Sequence, residues 1–194
     1  MLREIRKAVA ESISVKQLLL QDVSLLTQIE IAAQSCVAAY QRGNKVILAG
    51  NGGSAADAQH IAAEFVSRFQ FDRPGLPALA ITTDTSMLTA ISNDYGYERL
   101  FVRQLEANGR AGDVFIGIST SGNSKNVLAA LELCRSLNIT SIGLAGASGR
   151  IGTSCDICIH VPSTSTPRIQ ETHILIGHII CGLVEAAMFS PDHQ

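Results

Sequence analysis

Residues 45–65 read KVILAGNGGSAADAQHIAAEF. Val46 to Ala49 form an apolar run without polar alternation, as expected for a strand of a parallel sheet buried on both faces. The run ends in GNGGSA, where Gly50, Gly52, Gly53 and Ser54 form a turn into a helix. Glycines let such a turn bring backbone N–H groups close to an anion at the helix N-terminus. Further along, His60 and Glu64 stand four residues apart, so on a helix they project from one face, one turn apart. That spacing suits two ligands of one metal, or an acid and a base acting on one substrate. It equally describes a surface ion pair.

The same pattern repeats along the chain. PALAIT, DVFIGIS, TSIGLA and DICIHV are further apolar runs of strand length. Between them, helices are predicted over 54–68, 85–108 and 124–138, with a closing helix over 168–189. Alternating strands and helices imply an α/β three-layer sandwich around a five-stranded parallel sheet, flavodoxin- or Rossmann-like, with right-handed crossovers. Ligands of such sheets bind beyond the carboxyl ends of the strands. Residues 1–42 have helical apolar spacing through Ile5, Val9, Ile13, Leu18, Leu19, Leu26, Ile29, Ala33 and Val37. The expected organisation is one domain over 1–194, with a helical oligomerisation segment over 1–42 and an α/β core over 43–194.

The third predicted strand ends in STSGNS. Ser119, Thr120, Ser121 and Ser124 surround Gly122 ahead of a helix. Four hydroxyls and helix N-terminal amides make a cradle for a phosphomonoester, with Lys125 and Arg68 as possible aids; the alternative is an N-cap and ordinary turn residues. GNGGSA also matches the loose dinucleotide fingerprint G-x-G-x-x-A, which wants an acidic residue about 20 positions on. Asp84 stands 34 residues after Gly50 and is the only candidate there. A glycine loop and a hydroxyl loop after separate strands suit a polyhydroxylated phosphate better.

Composition narrows the classes. Hydrophobic residues make up 46% of the 194, charged residues only 16%, and the net charge is −2. Nucleic-acid binding needs clustered Lys and Arg, and no such cluster is present. Low charge suggests surface covered by other subunits. The N-terminus lacks the apolar h-region of a signal peptide. HILIGHIICGLVEAAMF is apolar, but two histidines and Glu185 interrupt it, so a helix buried between subunits is expected rather than a membrane span. The five cysteines include one C-x-x-C, Cys155 and Cys158, expected to be ordinary reduced thiols near a strand. A cytoplasmic protein is expected. In RIQETHILIGHIICGLVE, Gln170, Glu171, His173 and His178 are the polar members of an apolar helix. Gln170 and His178 are eight residues apart, a rise of about 12 Å, which points to a site assembled at a subunit junction.

Taken together, GNGGSAADAQHIAAEF, TTDTS, SNDYGYE, STSGNS and RIQETHILIGHIICGLVE resemble the phosphoheptose isomerases of the sugar isomerase (SIS) domain family. The resemblance spans nearly the whole chain. It implies a homotetramer with interfacial active sites that converts sedoheptulose 7-phosphate to D-glycero-D-manno-heptose 7-phosphate for surface-glycan biosynthesis. It implies one zinc ion per subunit, held by His60, Glu64, Gln170 and His178. Implied substrate contacts are Asn51, Gly52, Gly53, Ser54, Glu64, Asn93, Asp94, Ser119, Thr120, Ser121, Ser124 and Gln170. Some relatives have an aspartate before the RIQE arginine; here it is Pro167, and any role of that aspartate does not transfer. Ketose–aldose isomerisation through an enediol needs a base at carbon and an acid or metal at the oxygens. Glu64 is the expected base and His178 the expected acid. The rival expectation is a non-catalytic SIS-domain tetramer that binds a replication initiator or senses a sugar phosphate. The initiator-binding relatives lack the equivalents of Glu64 and His178.

Overall fold

In a computed structural model, residues 1–189 are described. Two helices, α1 (Leu2–Gln21) and α2 (Val23–Gln41), precede the sheet. Asp22 separates them: its backbone is extended, and its Oδ1 accepts the Leu25 N–H at 3.0 Å, capping α2. The rest runs β1 (Val46–Gly50), α3 (Gly53–Val66), β2 (Ala78–Ala80), α4 (Thr85–Tyr95), α5 (Leu100–Asn108), β3 (Val114–Ser119), α6 (Lys125–Leu137), β4 (Thr140–Ala145), β5 (Ile157–His160) and α7 (Thr166–Phe189).

Among the described residues the strands form one five-stranded parallel sheet in the order β2-β1-β3-β4-β5. Alternate residues of each strand feed opposite faces. Val46, Leu48, Ile116 and Ile118 pack with α2, α3 and α7, whereas Ile47, Ala49 and Phe115 pack with α5 and α6. This is the expected three-layer sandwich.

The predicted helix over 85–108 is broken. Gly96, at φ 85°, ends α4, a 3₁₀ turn covers Tyr97–Arg99, and α5 then begins. A positive φ is a conformation that glycine adopts without steric cost. The break matters because it turns the Tyr97 side chain towards the end of β1.

α7 is long and apolar enough to cross a membrane by length and composition alone, with a mean hydropathy of 1.6. Here it lies on the sheet layer: Ile169, Ile176, Ile180 and Val184 are core residues, and Glu185, 1% exposed, meets Arg73.

The order β2-β1-β3 places the reversal of strand order, the topological switch point, between β1 and β3. Gly50 pairs with Ile118, so the glycine loop and the hydroxyl loop leave the sheet side by side.

Candidate active site

The two loops are joined by a reciprocal amide pair. Asn51 Nδ2 donates to Asn126 Oδ1 at 2.9 Å, and Asn126 Nδ2 donates back to Asn51 Oδ1 at 3.0 Å. The Tyr97 hydroxyl also donates to Asn51 Oδ1, at 2.8 Å. Asn51, expected at the substrate, therefore uses its side chain to hold the loops together. Asn126 and Tyr97 escaped sequence reading because their partner lies 75 and 46 residues away.

The glycine loop is as tight as its composition suggested. A Cβ on Gly50 would come 2.5 Å from the Ser54 carbonyl oxygen, and one on Gly53 would collide with the Gln170 side-chain amide. Gln170 thus lies over the start of α3. Ser54 is buried beneath the loop, while Gly52 and Gly53 are exposed. A cavity of about 300 Å³ opens here, lined in part by Gly50, Asn51, Gly52, Thr82, Ser92 and Tyr97. Asn93 and Asp94 are exposed on α4 beside Ser92, with Asn93 Nδ2 donating to Asp94 Oδ1 at 2.8 Å.

In the hydroxyl loop, Ser119 is 2% exposed and organises the others. Its Oγ donates to Ser124 Oγ at 2.9 Å and accepts the Ser124 N–H at 3.3 Å. Ser121 Oγ accepts the Asn123 N–H at 3.2 Å. Ser124 stands at the N-cap position of α6, but its hydroxyl makes no cap bond there and is tied to Ser119 instead. Thr120 is half-buried and Ser121 exposed at the mouth of the loop. Lys125 is engaged elsewhere: its Nζ lies 2.7 Å from Glu98 Oε1, a hydrogen bond that raises its pKa. Arg68 is exposed.

His60, Glu64 and His178 meet. Their ligand atoms all lie within 4.8 Å of one another, a possible metal-binding group. His60 Nε2 is 3.0 Å from Glu64 Oε1 and 3.2 Å from His178 Nε2. His60 Nε2 faces both a carboxylate oxygen and a second imidazole nitrogen, and one ring nitrogen cannot donate to the first while accepting from the second, whereas a cation takes all three lone pairs. Two nitrogens and one oxygen match the borderline character of a zinc-type divalent ion, with a coordination position left open. The residues fit a metal. All three come from one chain, so this part of the site needs no second subunit. Gln170, at Gly53, stands about 10 Å up α3 from His60 by helix rise, in line with its eight-residue separation from His178.

The cluster has a supporting layer. Phe69 stacks on the His178 ring with centroids 5.4 Å apart. The Phe69 and Gln70 N–H groups donate to the Glu185 carboxylate at 2.9 and 2.7 Å. Arg73 Nη2 donates to the Glu64 carbonyl at 2.8 Å, and its Nε donates to Glu185 Oε1 at 3.0 Å. Asp57, one turn before His60, has an unpaired, buried Oδ2; burial raises its pKa, with His60 opposing. His173 is the core histidine of α7: fully buried, and pushed down to about 4 by that burial, it is neutral.

Glycine and hydroxyl loops flank the switch point of the parallel sheet, where ligands of such sheets bind. The SIS domain family model matches residues 14–146. The chain is 64% identical over 186 residues to a phosphoheptose isomerase of Aneurinibacillus thermoaerophilus, covering 95% of this chain and 94% of that one. It is 66% identical over 181 residues to phosphoheptose isomerase 2 of Campylobacter jejuni, covering 93% and 90%. The structure of a phosphoheptose isomerase from Francisella tularensis superposes with a TM-score of 0.89 at 35% identity, covering 94% of this chain and 97% of that one. The chain belongs to the phosphoheptose isomerase family of SIS-domain enzymes.

Proposed function

We propose that the chain isomerises sedoheptulose 7-phosphate to D-glycero-D-manno-heptose 7-phosphate through an enediol, with the sugar phosphate held between the two loops. The observation that carries this reading is the convergence of His60, Glu64 and His178 on one point, with His60 and Glu64 on the helix that the glycine loop opens. The phosphate is assigned to Thr120, Ser121 and Ser124, with Ser119 fixing their loop. Gly52, Gly53 and Gln170 bind the sugar hydroxyls, and Asn93 and Asp94 contact the sugar from α4. Ser54 and Asn51 hold the shape of the glycine loop. Glu64 carries the proton between C1 and C2. His178, its ring fixed by Phe69, exchanges protons at O1 and O2. His60, Glu64 and His178 would hold a zinc ion, which would supply charge stabilisation at the reacting sugar oxygens; Gln170 would have to leave Gly53 to join them. The product suits the heptose of a surface glycan, and a cytoplasmic location accords with a phosphorylated substrate.

The test is to follow sedoheptulose 7-phosphate by NMR. Aldose signals should appear, and a chelator should lower turnover by roughly two orders of magnitude or more, with zinc restoring it. Turnover unaffected by thorough metal removal counts against the metal role. No conversion by folded protein in either arm favours the sugar-phosphate sensor.

A homotetramer is part of the proposal. Ile5, Val9 and Ile13 form a stripe on α1 with exposures of 59%, 55% and 51%. A groove of about 470 Å³ between α2 and α7 is lined by Ala33, Val37, Ala38, Leu183 and Ala186, among others. Both surfaces suit helices of neighbouring subunits. Sedimentation should report four chains, and an Ile5→Glu, Val9→Glu, Ile13→Glu variant should dissociate with loss of turnover. Activity per chain that stays constant as the oligomer dissociates would overturn the interfacial site.

A further inference from the structure

The C-x-x-C pair lies outside the site described above. Cys158 and His160 are two residues apart on β5, so they face the same side of this edge strand. Cys158 Sγ stands 3.3 Å from His160 Nε2, and His160 Nδ1 stands 2.8 Å from the Gly146 carbonyl oxygen. A carbonyl only accepts, so Nδ1 carries a proton and Nε2 faces the thiol as its base. Cys155 donates its thiol hydrogen to the Ile151 carbonyl oxygen at 3.1 Å and sits over Gly143, the β4 residue that pairs with Cys158. The neighbouring Cys155 thiol, aided by His160 and opposed by burial, holds Cys158 down to about 7. Cys155 is pushed up by its Cys158 neighbour and by burial, and stays protonated. Asp156, bonded to Ser141, and Glu132 and Arg135 line the cleft beside Cys155.

Access and connection complete the geometry. Gly152 is exposed and covers the pair; a Cβ there would come 3.0 Å from His160 Nε2 and 3.9 Å from Cys158 Sγ. Its missing side chain leaves an approach from solvent. Cys36, Cys134 and Cys181, by contrast, are buried. Beyond His160, the Gly146 N–H donates to the Thr120 carbonyl at 3.1 Å. Thiol, imidazole and one glycine therefore link β5 to the hydroxyl loop.

We propose that Cys158 is a redox-modifiable thiol that closes a reversible disulfide with Cys155, and that this closure weakens phosphosugar binding through His160, Gly146 and Thr120. The oxidant is a low-molecular-weight disulfide, RSSR. The Cys158 thiolate attacks one of its sulfurs; a Cys158–SR bond forms, the RS–SR bond breaks, and the departing thiolate takes the proton that His160 drew from Cys158. The Cys155 sulfur then attacks Cys158 and passes its proton to the second departing thiolate. Two cysteine thiols are oxidised and RSSR is reduced to two RSH. The Cys158 proton shared with His160 is gone, and the His160 ring loses the partner that fixed it.

The experiment treats the purified protein with oxidised glutathione at neutral pH, maps the peptides by mass and measures KM and kcat. The expected result is a Cys155–Cys158 cross-link with KM raised roughly threefold to thirtyfold, kcat unchanged, and reversal by dithiothreitol. Cys155→Ser should stop at a glutathione adduct on Cys158, and Cys158→Ser should form neither product and keep its KM. Modification of Cys36, Cys134 or Cys181 as fast as Cys158 overturns the proposal, as does a cross-link that leaves KM unchanged. The mass mapping reads the chemistry at Cys158 independently of which phosphosugar the enzyme turns over.

Discussion

Glu64→Gln should lower turnover by roughly three to five orders of magnitude while the protein remains folded. The carboxylate is assigned the carbon-bound proton, and an amide of the same shape neither accepts that proton nor returns it. General base catalysis alone contributes about 10²–10⁴-fold; loss of a negative ligand beside His60 and His178 adds to it. The fold should not respond. Glu64 is half-buried at the surface end of the cluster, and its structural tie, the bond from Arg73, goes to the backbone carbonyl, which the substitution leaves in place. A melting temperature within a few degrees of wild type together with turnover near background is the expected pair of measurements. Measuring bound zinc in the variant separates the two roles: retained metal with lost turnover assigns Glu64 to proton transfer, and lost metal assigns it to binding. Wild-type turnover removes Glu64 from the mechanism.

The strands were legible because a parallel sheet buried on both faces needs continuous apolar runs, and KVILA and DVFIGIS have little else. The helix over 85–108 was misread for a local reason: its apolar spacing continues through Gly96, and only the positive φ there breaks it. His60 and Glu64 were legible from four-residue spacing, and the two loops from their glycines and hydroxyls. His178 stands out only as a polar residue in an apolar helix; its pairing with His60, across 118 residues, has no local signal and is implied by the family resemblance alone. Arg73 and Asn126 were invisible for the same physical reason, since their roles consist of hydrogen bonds to distant backbone and side-chain atoms.

Glu185→Ala should produce the largest loss of stability. Arg73 and Glu185 are 2% and 1% exposed, and each partner is fully engaged. Arg73 also donates from Nη1 to the Phe65, Ser67 and Pro74 carbonyls at 2.6, 3.0 and 3.1 Å, closing the C-terminal end of α3. Removing one member leaves an uncompensated buried charge, which costs about 3–5 kcal/mol. For a chain of this size each kcal/mol lowers the melting temperature by about 2–4 °C, so a drop of roughly 6–20 °C is expected. Arg73→Met with Glu185→Leu should lose less than Glu185→Ala alone, because no charge is stranded. Acid should act on the same pair. Burial pushes the Glu185 carboxyl up, but the bonds from Phe69, Gln70 and Arg73 outweigh it and hold the group below its ordinary 4.5. A depressed carboxyl contributes stability that is complete above the unfolded value and is lost as pH falls through the folded one. The melting temperature of wild type should therefore fall more steeply than that of the Met/Leu variant below about pH 4.5. Parallel acid profiles for the two proteins would show that the pair does not govern this part of the stability. Because Glu185 also sets Phe69 against His178, Glu185→Ala should lower kcat at temperatures where it remains folded, and a wild-type kcat there would confine the pair to stability alone.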